Sequence, residues 1–228
     1  QALPYLKRAA EGGASDAWVR IADVYGEHRR ELDMKRSLAR YVEANETNPQ
    51  TLMQVLTRYR SAGMTNESIE TLEQLVELQP NSLQHYQQLS QLYFEQGRDQ
   101  DALDLWNGFL ARSSDRIRAL REIQTAFRQR NRLPRMLDIY RALLDSGVED
   151  PRVYRLIGDT YLSIASRQKQ RHFMMQGPRV SEPYAKANRF YRLYLEKASP
   201  TDAELRDLAN TLRKDQMWEL SAQIFETL

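Results

Sequence analysis

Residues 83–110, LQHYQQLSQLYFEQGRDQDALDLWNGFL, carry the pattern that decides the fold. In the first half, apolar side chains recur at helical spacing at Tyr86, Leu89 and Tyr93. Gly97 then interrupts the run. The second half resumes the spacing at Ala102, Leu105, Trp106 and Phe109. The pattern predicts a helical hairpin, and because neither short helix buries its apolar face alone, the hairpin needs neighbours of its own kind.

The same pattern returns every 34 residues along the chain. Steps of this length from Tyr93 reach Tyr25, Tyr59, Phe127 and Tyr161. Four residues before these positions stand Ile21, Val55, Leu89, Ile123 and Ile157. The large apolar site of the second helices is filled by Leu38, Leu72, Trp106 and Tyr140. The period therefore predicts an all-α chain of stacked helix–turn–helix repeats around one continuous core.

The register also predicts where the repeats begin and end within a single array, 1–228. We expect residues 1–14 to be the second helix of a truncated repeat, followed by repeats at about 15–48, 49–82, 83–116, 117–150, 151–200 and 201–228. Asn48 with Pro49, and Thr201 with Glu204, are typical helix starts. In the last repeat, Ser221, Phe225 and Leu228 are expected to complete the core.

The fifth repeat contains an insertion of 17 residues near 165–183. Tyr93 is nine residues from Ala102, whereas Tyr161 is 26 residues from Ala187. The preceding helix is expected to continue to about Gln170, and a loop and a new helix start follow at 177–183. The insertion is basic but contains three apolar residues: Phe173, Met174 and Met175. They have two interpretations, an anchor on a neighbouring helix or an adaptable contact for a partner protein.

The composition excludes several classes of protein. The chain has no cysteine, which excludes disulfides, thiol nucleophiles and cysteine metal sites. It has no apolar run of about 18 residues, so we expect no membrane insertion of this segment. Because it does not start with Met and both ends cut through the pattern, we expect a segment of a longer protein. The absence of cysteine is compatible with the cytosol and with a bacterial periplasm.

No constellation of residues points to catalysis. His28, His85 and His172 lie on different repeats, and no Ser/His/Asp set, HExxH motif or phosphate-binding glycine loop is present. We predict that the protein is not an enzyme and has no catalytic residues, cofactor or metal site. Basic residues are not interleaved with exposed aromatics, so nucleic acid is not expected as a partner.

A 34-residue helix–turn–helix unit with an aromatic near its start, a small residue in the middle of the hairpin and an aromatic in its second helix resembles the tetratricopeptide repeat. The resemblance covers essentially the whole chain. It implies a right-handed superhelical solenoid whose first helices line a concave face that binds proteins. The best-known family site, a Lys and Asn clamp on a carboxylate, is not matched, because Asp23, Gln54 and Thr57 stand where its asparagines are expected.

Charge is distributed unevenly along this expected face. Residues 1–110 hold 11 Lys and Arg against 16 Asp and Glu, and residues 111–228 hold 22 against 15. On the first helices of the second half, five arginines are predicted to form one positive patch for an acidic surface, helix or tail of a partner protein: Arg118, Arg121, Arg128, Arg152 and Arg155. Arginine is also a good helix former on a solvated surface, and this interpretation stays open. Gln124 is expected to be a hydrogen-bonded interface residue rather than a binding group.

Degenerate repeats, absence of cysteine and abundance of Gln and Tyr resemble the long repeat arrays of bacterial exopolysaccharide export proteins, first the Pel type and then the cellulose and poly-N-acetylglucosamine types. These arrays precede an outer-membrane β-barrel. The resemblance implies a periplasmic scaffold that docks a polysaccharide-modifying enzyme near the export pore, with polysaccharide nearby. Two alternatives stay open: a cytosolic chaperone or assembly adaptor that binds peptide tails, and a structural spacer.

Overall fold

A computed structural model describes residues 2–45, 47–129, 132–175 and 182–228, without the side chains of residues 129 and 170–175. The described residues form thirteen α-helices and no strand. The helices are α1 Leu3–Glu11, α2 Asp16–Glu27, α3 Glu31–Asn45, α4 Pro49–Ser61, α5 Thr65–Leu78, α6 Leu83–Glu95, α7 Asp99–Arg112, α8 Arg116–Gln129, α9 Leu133–Asp145, α10 Pro151–Met175, α11 Glu182–Lys197, α12 Asp202–Lys214 and α13 Trp218–Glu226. The predicted all-α class is confirmed.

The chain divides into two compact units, Gln1–Phe109 and Leu110–Leu228, with the boundary near the end of α7. In the first unit, α2 packs on α3, α4 packs on α5, and α1 packs on α2. In the second unit the paired helices are α8 with α9, α10 with α11, and α12 with α13. Helices that follow one another along the chain therefore pack as pairs within each unit. The single array over 1–228 and its superhelical hand stay predictions.

The 34-residue register correctly predicts most of the core. The first-helix positions Ile21, Val55, Leu89, Ile123 and Ile157 are all buried. The second-helix positions Leu38, Leu72, Trp106 and Tyr140 are at most 1% exposed. Around Trp106, the ring of Tyr86 lies at 5.8 Å and that of Phe109 at 5.9 Å between centroids. Large side chains at fixed positions thus fill the space between paired helices.

Local signals in the sequence define several helix ends. The side chain of Asn48 accepts a hydrogen bond of 3.0 Å from the backbone N–H of Thr51. Thr201 and Glu204 form the reciprocal capping box that their spacing predicts. Gly97, with φ of +71°, occupies the left-handed position of the hairpin turn. The equivalent position of the last hairpin holds Gln216, with φ of +65°.

Four positions depart from the predicted core. Phe225 and Leu228 are 42% and 38% exposed, although the residues at the same register positions in α11, Tyr191 and Tyr194, are buried. No described helix lies beyond α13 to cover them. Leu105 and Tyr161 are only half-buried.

The insertion begins as a continuation of α10, which extends to Met175, five residues beyond the predicted end. Its first residues contact elements on both sides. Arg167 donates to the backbone carbonyl of Arg128 at 2.7 Å, and Lys169 donates to the side chain of Gln216 at 2.6 Å. Ser166 donates to the carboxylate of Asp215. The extension is therefore part of the folded unit at least as far as Lys169.

Candidate partner-binding site

The first helices of the three pairs in the second unit contribute to one pocket. On α8, the positions 121, 124, 125 and 128 share a face because they are spaced by three, four and seven residues. This face presents Arg121, Gln124, Thr125 and Arg128. From α10 come Arg155, Leu156 and Asp159, and from α12 come Ala203, Glu204 and Asp207. These ten residues define the arginine pocket, an open cavity of about 590 Å³.

Arg155 is held in the wall of the pocket by groups of its own unit. It donates a hydrogen bond to the carboxylate of Asp207, and this ion pair joins α10 to α12. The guanidinium carbon lies 5.9 Å from the ring centroid of Tyr194. The side chain of Arg155 is only 17% exposed, whereas that of Asp207 is 69% exposed. Arg155 therefore supports the pocket, and Asp207 faces solvent.

Asp159 lies one helical turn from Arg155 and is half-buried. Its carboxylate accepts a hydrogen bond of 2.8 Å from the hydroxyl of Tyr191, which is fully buried. Burial raises the pKa of the Asp159 carboxyl, although the Tyr191 hydroxyl and the charge of Arg155 oppose the shift. Burial also raises the pKa of Tyr191, so this hydroxyl acts as a donor.

Arg121 and Arg128 differ from Arg155 in exposure and in pairing. Both side chains are exposed, and neither forms an ion pair with a described residue. Glu204, on the opposite wall, accepts hydrogen bonds from the backbone N–H and hydroxyl of Thr201, and these bonds lower its pKa. The pocket thus holds two arginines that form no ion pair with a described residue and a carboxylate whose charged form is favoured by hydrogen bonds.

The structure places the other two predicted arginines outside the arginine pocket. Arg118 pairs with Glu122 at 3.1 Å, one turn along α8. Arg152 pairs with Asp150 at 2.6 Å, and this contact lowers the pKa of the Asp150 carboxyl. Three of the five arginines therefore share one pocket. The two others are engaged by neighbours within four residues in sequence.

Gln124 has the structural role predicted for it. Its side chain is 4% exposed and donates to the hydroxyl of Thr160 at 2.8 Å and to the backbone carbonyl of Leu156 at 3.2 Å. Thr160 in turn donates to the same carbonyl at 2.9 Å. These bonds fix α8 against α10 and so set the distance between the arginines of the pocket.

Phe173, Met174 and Met175 lie on the last turn of α10, but their side chains are outside the described residues. Their role as partner contacts stays a prediction.

The first unit contains a second pocket of about 590 Å³, which the sequence reasoning did not find. Its floor is formed by Trp18, Ile21 and Tyr25 of α2, and its rim carries charges of both signs from α1 and α3. Trp18 is half-buried, whereas Leu52 and Tyr86, at the same register position, are buried. Tyr154, at the same register position in the second unit, is half-buried as well. The partial exposure of Trp18 could be found only from the structure.

The described part of the chain offers no group of three His, Asp or Glu side chains arranged to hold a metal ion. Among the same residues, no helix is both long and apolar enough to cross a bilayer.

No protein-family model matches the chain, and no curated protein is significantly similar to it. Several solved structures are similar at low identity. A MamA protein shares 18% identity over 91% of this chain and 97% of its own, with a TM-score of 0.38. A tetratricopeptide repeat protein from Parabacteroides merdae shares 14% identity over 99% of this chain and 84% of its own, with a TM-score of 0.38. The pilus biogenesis factor PilW shares 10% identity over 94% of this chain and 92% of its own, with a TM-score of 0.38. At these TM-scores, the similarities carry no information about function.

Proposed function

We propose that the chain is a non-catalytic scaffold that binds a protein partner at the arginine pocket of its second unit. The observation that carries the proposal is the pair of exposed arginines on α8, Arg121 and Arg128, neither of which forms an ion pair with a described carboxylate. Their guanidinium groups are seven residues apart on one helix face, about 10 Å along the axis. This arrangement suits two carboxylates of an acidic segment, each bound by charge-assisted hydrogen bonds.

The proposal extends to a biological setting. The partner is a polysaccharide-modifying enzyme, and the chain holds it in the periplasm near an exopolysaccharide export pore. This part rests on the resemblance of the degenerate repeats and the composition to those of bacterial exopolysaccharide export proteins. A cytosolic adaptor for peptide tails, and a spacer that binds nothing, are the alternatives that the experiments below separate.

The partner can be identified by photo-crosslinking in the host. A photoreactive amino acid replaces Thr125, which is exposed in the arginine pocket between Arg121 and Arg128. We expect one predominant crosslinked protein with an acidic surface. The double variant Arg121→Glu/Arg128→Glu should weaken its capture tenfold or more, about 1.4 kcal/mol. Lower ionic strength should strengthen capture by the unmodified chain.

A charge-matched control is available on the same helix. The variant Arg116→Glu/Arg118→Glu makes the same change of charge outside the arginine pocket, so it should retain capture within about twofold, or 0.4 kcal/mol. Equal loss in both variants would show that only the overall charge of α8 matters. Unchanged capture by the Arg121/Arg128 variant at low and physiological salt would reject the pocket, and no crosslinked protein at all would favour the spacer.

The compartment is tested separately, with alkaline phosphatase fused to the natural full-length protein. Activity of the fusion in intact cells supports the periplasm. Activity only when the fusion is forced out of the cytosol supports the adaptor alternative.

A further inference from the structure

The two outer helices of the arginine pocket carry opposite charges. The α8 side presents the guanidinium groups of Arg121 and Arg128. The α12 side presents the carboxylates of Glu204 and Asp207. The pocket is therefore polarised across its width, although the formal charges of its three arginines and three carboxylates cancel.

The charges of the middle helix are satisfied within the fold. Arg155 is largely buried and bound to Asp207. Asp159 accepts the hydroxyl of Tyr191 and lies beside Arg155. A ligand that enters the pocket thus meets free donors on α8 and exposed carboxylates on α12. A ligand with negative charge alone gains attraction on one side and meets repulsion on the other.

We propose that the arginine pocket binds a partner segment that carries an acidic block and a basic block, with the acidic block on α8 and the basic block on α12. This inference rests on the proposed function and specifies the partner. If neighbouring helices lie 8–10 Å apart, α8 and α12 are roughly 16–20 Å apart. Two blocks on a helix, centred about two turns or 11 Å apart, span this width when long Glu and Lys side chains extend outward.

The test uses three labelled 14-residue helical peptides and the full chain. The first has glutamates in its first two turns and lysines in its last two. The second has the same composition with the charges interspersed, and the third has glutamates only. Fluorescence anisotropy at low and physiological salt gives each affinity. We expect the two-block peptide to bind at least tenfold more tightly than either of the others.

Two pairs of substitutions then assign the blocks to the helices. Arg121→Glu/Arg128→Glu should weaken the two-block peptide at least tenfold. Glu204→Gln/Asp207→Asn should also weaken the binding of the two-block peptide, at least fivefold. The same variant should bind the all-glutamate peptide more tightly. The Gln and Asn side chains of this variant would each keep an oxygen, which can accept the hydrogen bonds from the backbone N–H of Thr201 and from Arg155. Asp202→Asn/Glu226→Gln removes the same charge from exposed sites outside the pocket and should change neither affinity.

The outcomes separate the inference from the proposed function. If the all-glutamate peptide binds as tightly as the two-block peptide, or if Glu204→Gln/Asp207→Asn strengthens the two-block peptide, the inference is wrong. The proposed function then stands as long as Arg121→Glu/Arg128→Glu abolishes binding. If that variant binds as the unmodified chain does, or if no peptide binds, both are wrong. Thermal melts of each variant identify any loss of binding that is due to unfolding.

Discussion

Gly158 of α10 lies directly against the ring of Tyr191 on α11, so a single methyl group there should destabilise the second unit. A Cβ atom at this position would lie 2.7 Å from Cε1 and 2.8 Å from Cδ1 of Tyr191. An ordinary contact begins at 3.4 Å, so the ring would have to move by about 0.7 Å. Tyr191 is fully buried, and its hydroxyl is bound to Asp159, so the ring cannot move without displacing its neighbours or breaking this hydrogen bond.

The expected magnitude follows from two opposing effects. Overpacking of a filled core costs about 1–3 kcal/mol. Replacement of glycine by alanine in a helix returns about 1 kcal/mol. Gly158→Ala should therefore lower the free energy of unfolding by up to about 2 kcal/mol, and Gly158→Leu should lower it further because its side chain is larger. The measurement is the urea midpoint followed by circular dichroism and tyrosine fluorescence.

Gly26 in α2 provides the matched control. A Cβ atom there would lie 3.3 Å from Sδ of Met34, the far end of a flexible side chain. Gly26→Ala should therefore be neutral or stabilising. Tyr191→Leu makes room beside Gly158, so Gly158→Ala should cost less in that background. Stability of Gly158→Ala equal to or above that of the unmodified chain, or the same cost in both backgrounds, would refute the assigned contact.

Three further predictions concern turns, ionisation and caps. Arg29 has φ of +55° and Gln216 has φ of +65°, a backbone conformation that favours glycine. Arg29→Gly should therefore stabilise the chain by about 0.5–1 kcal/mol in the same urea experiment. Gln216→Gly should stabilise it less, because it also removes the hydrogen bond that Lys169 donates to the Gln216 side chain. Burial raises the pKa of the Asp159 carboxyl in the folded chain. The stability that this carboxyl contributes is therefore full below its pKa in the unfolded chain, near 4, and falls as the pH rises through its pKa in the folded chain. As the pH rises from 4 to 7.5, the urea midpoint of Asp159→Asn should therefore increase relative to that of the unmodified chain. A difference between the two midpoints that does not change with pH would contradict this. Thr201→Ala removes the capping box and should cost about 1 kcal/mol; a thermal melt unchanged from that of Thr201→Ser would contradict the cap.

The periodic part of the fold could be predicted because each core position is defined by local spacing and repeated in every pair. Trp106, Leu72 and Tyr140 occupy one register position and are all buried. Gln124 could also be predicted, since a polar residue at a core position needs hydrogen-bond partners. The exposure of Phe225 could not be predicted from spacing, because it depends on what covers α13.

The site was predicted only in part, because ion pairing decides which arginines are free. The pairs Arg118–Glu122 and Arg152–Asp150 follow from short spacing and could have been predicted. The Arg155–Asp207 pair joins residues 52 positions apart, across an insertion, and required the structure. Of the five arginines predicted to form one positive patch, Arg121 and Arg128 alone lie in the arginine pocket without an ion pair to a described residue, and two carboxylates lie opposite them.

The central claim, that Arg121 and Arg128 bind the partner, is tested most directly by NMR of the arginine side chains. The full chain is labelled with ¹⁵N-arginine, each Nε–H signal is assigned by substitution, and the crosslinked partner or the two-block peptide is titrated at physiological salt. We predict that the signals of Arg121 and Arg128 shift with a common dissociation constant, while those of Arg118 and Arg152 stay unchanged. Equal shifts at all four arginines, or shifts confined to Arg118 and Arg152, would contradict the account.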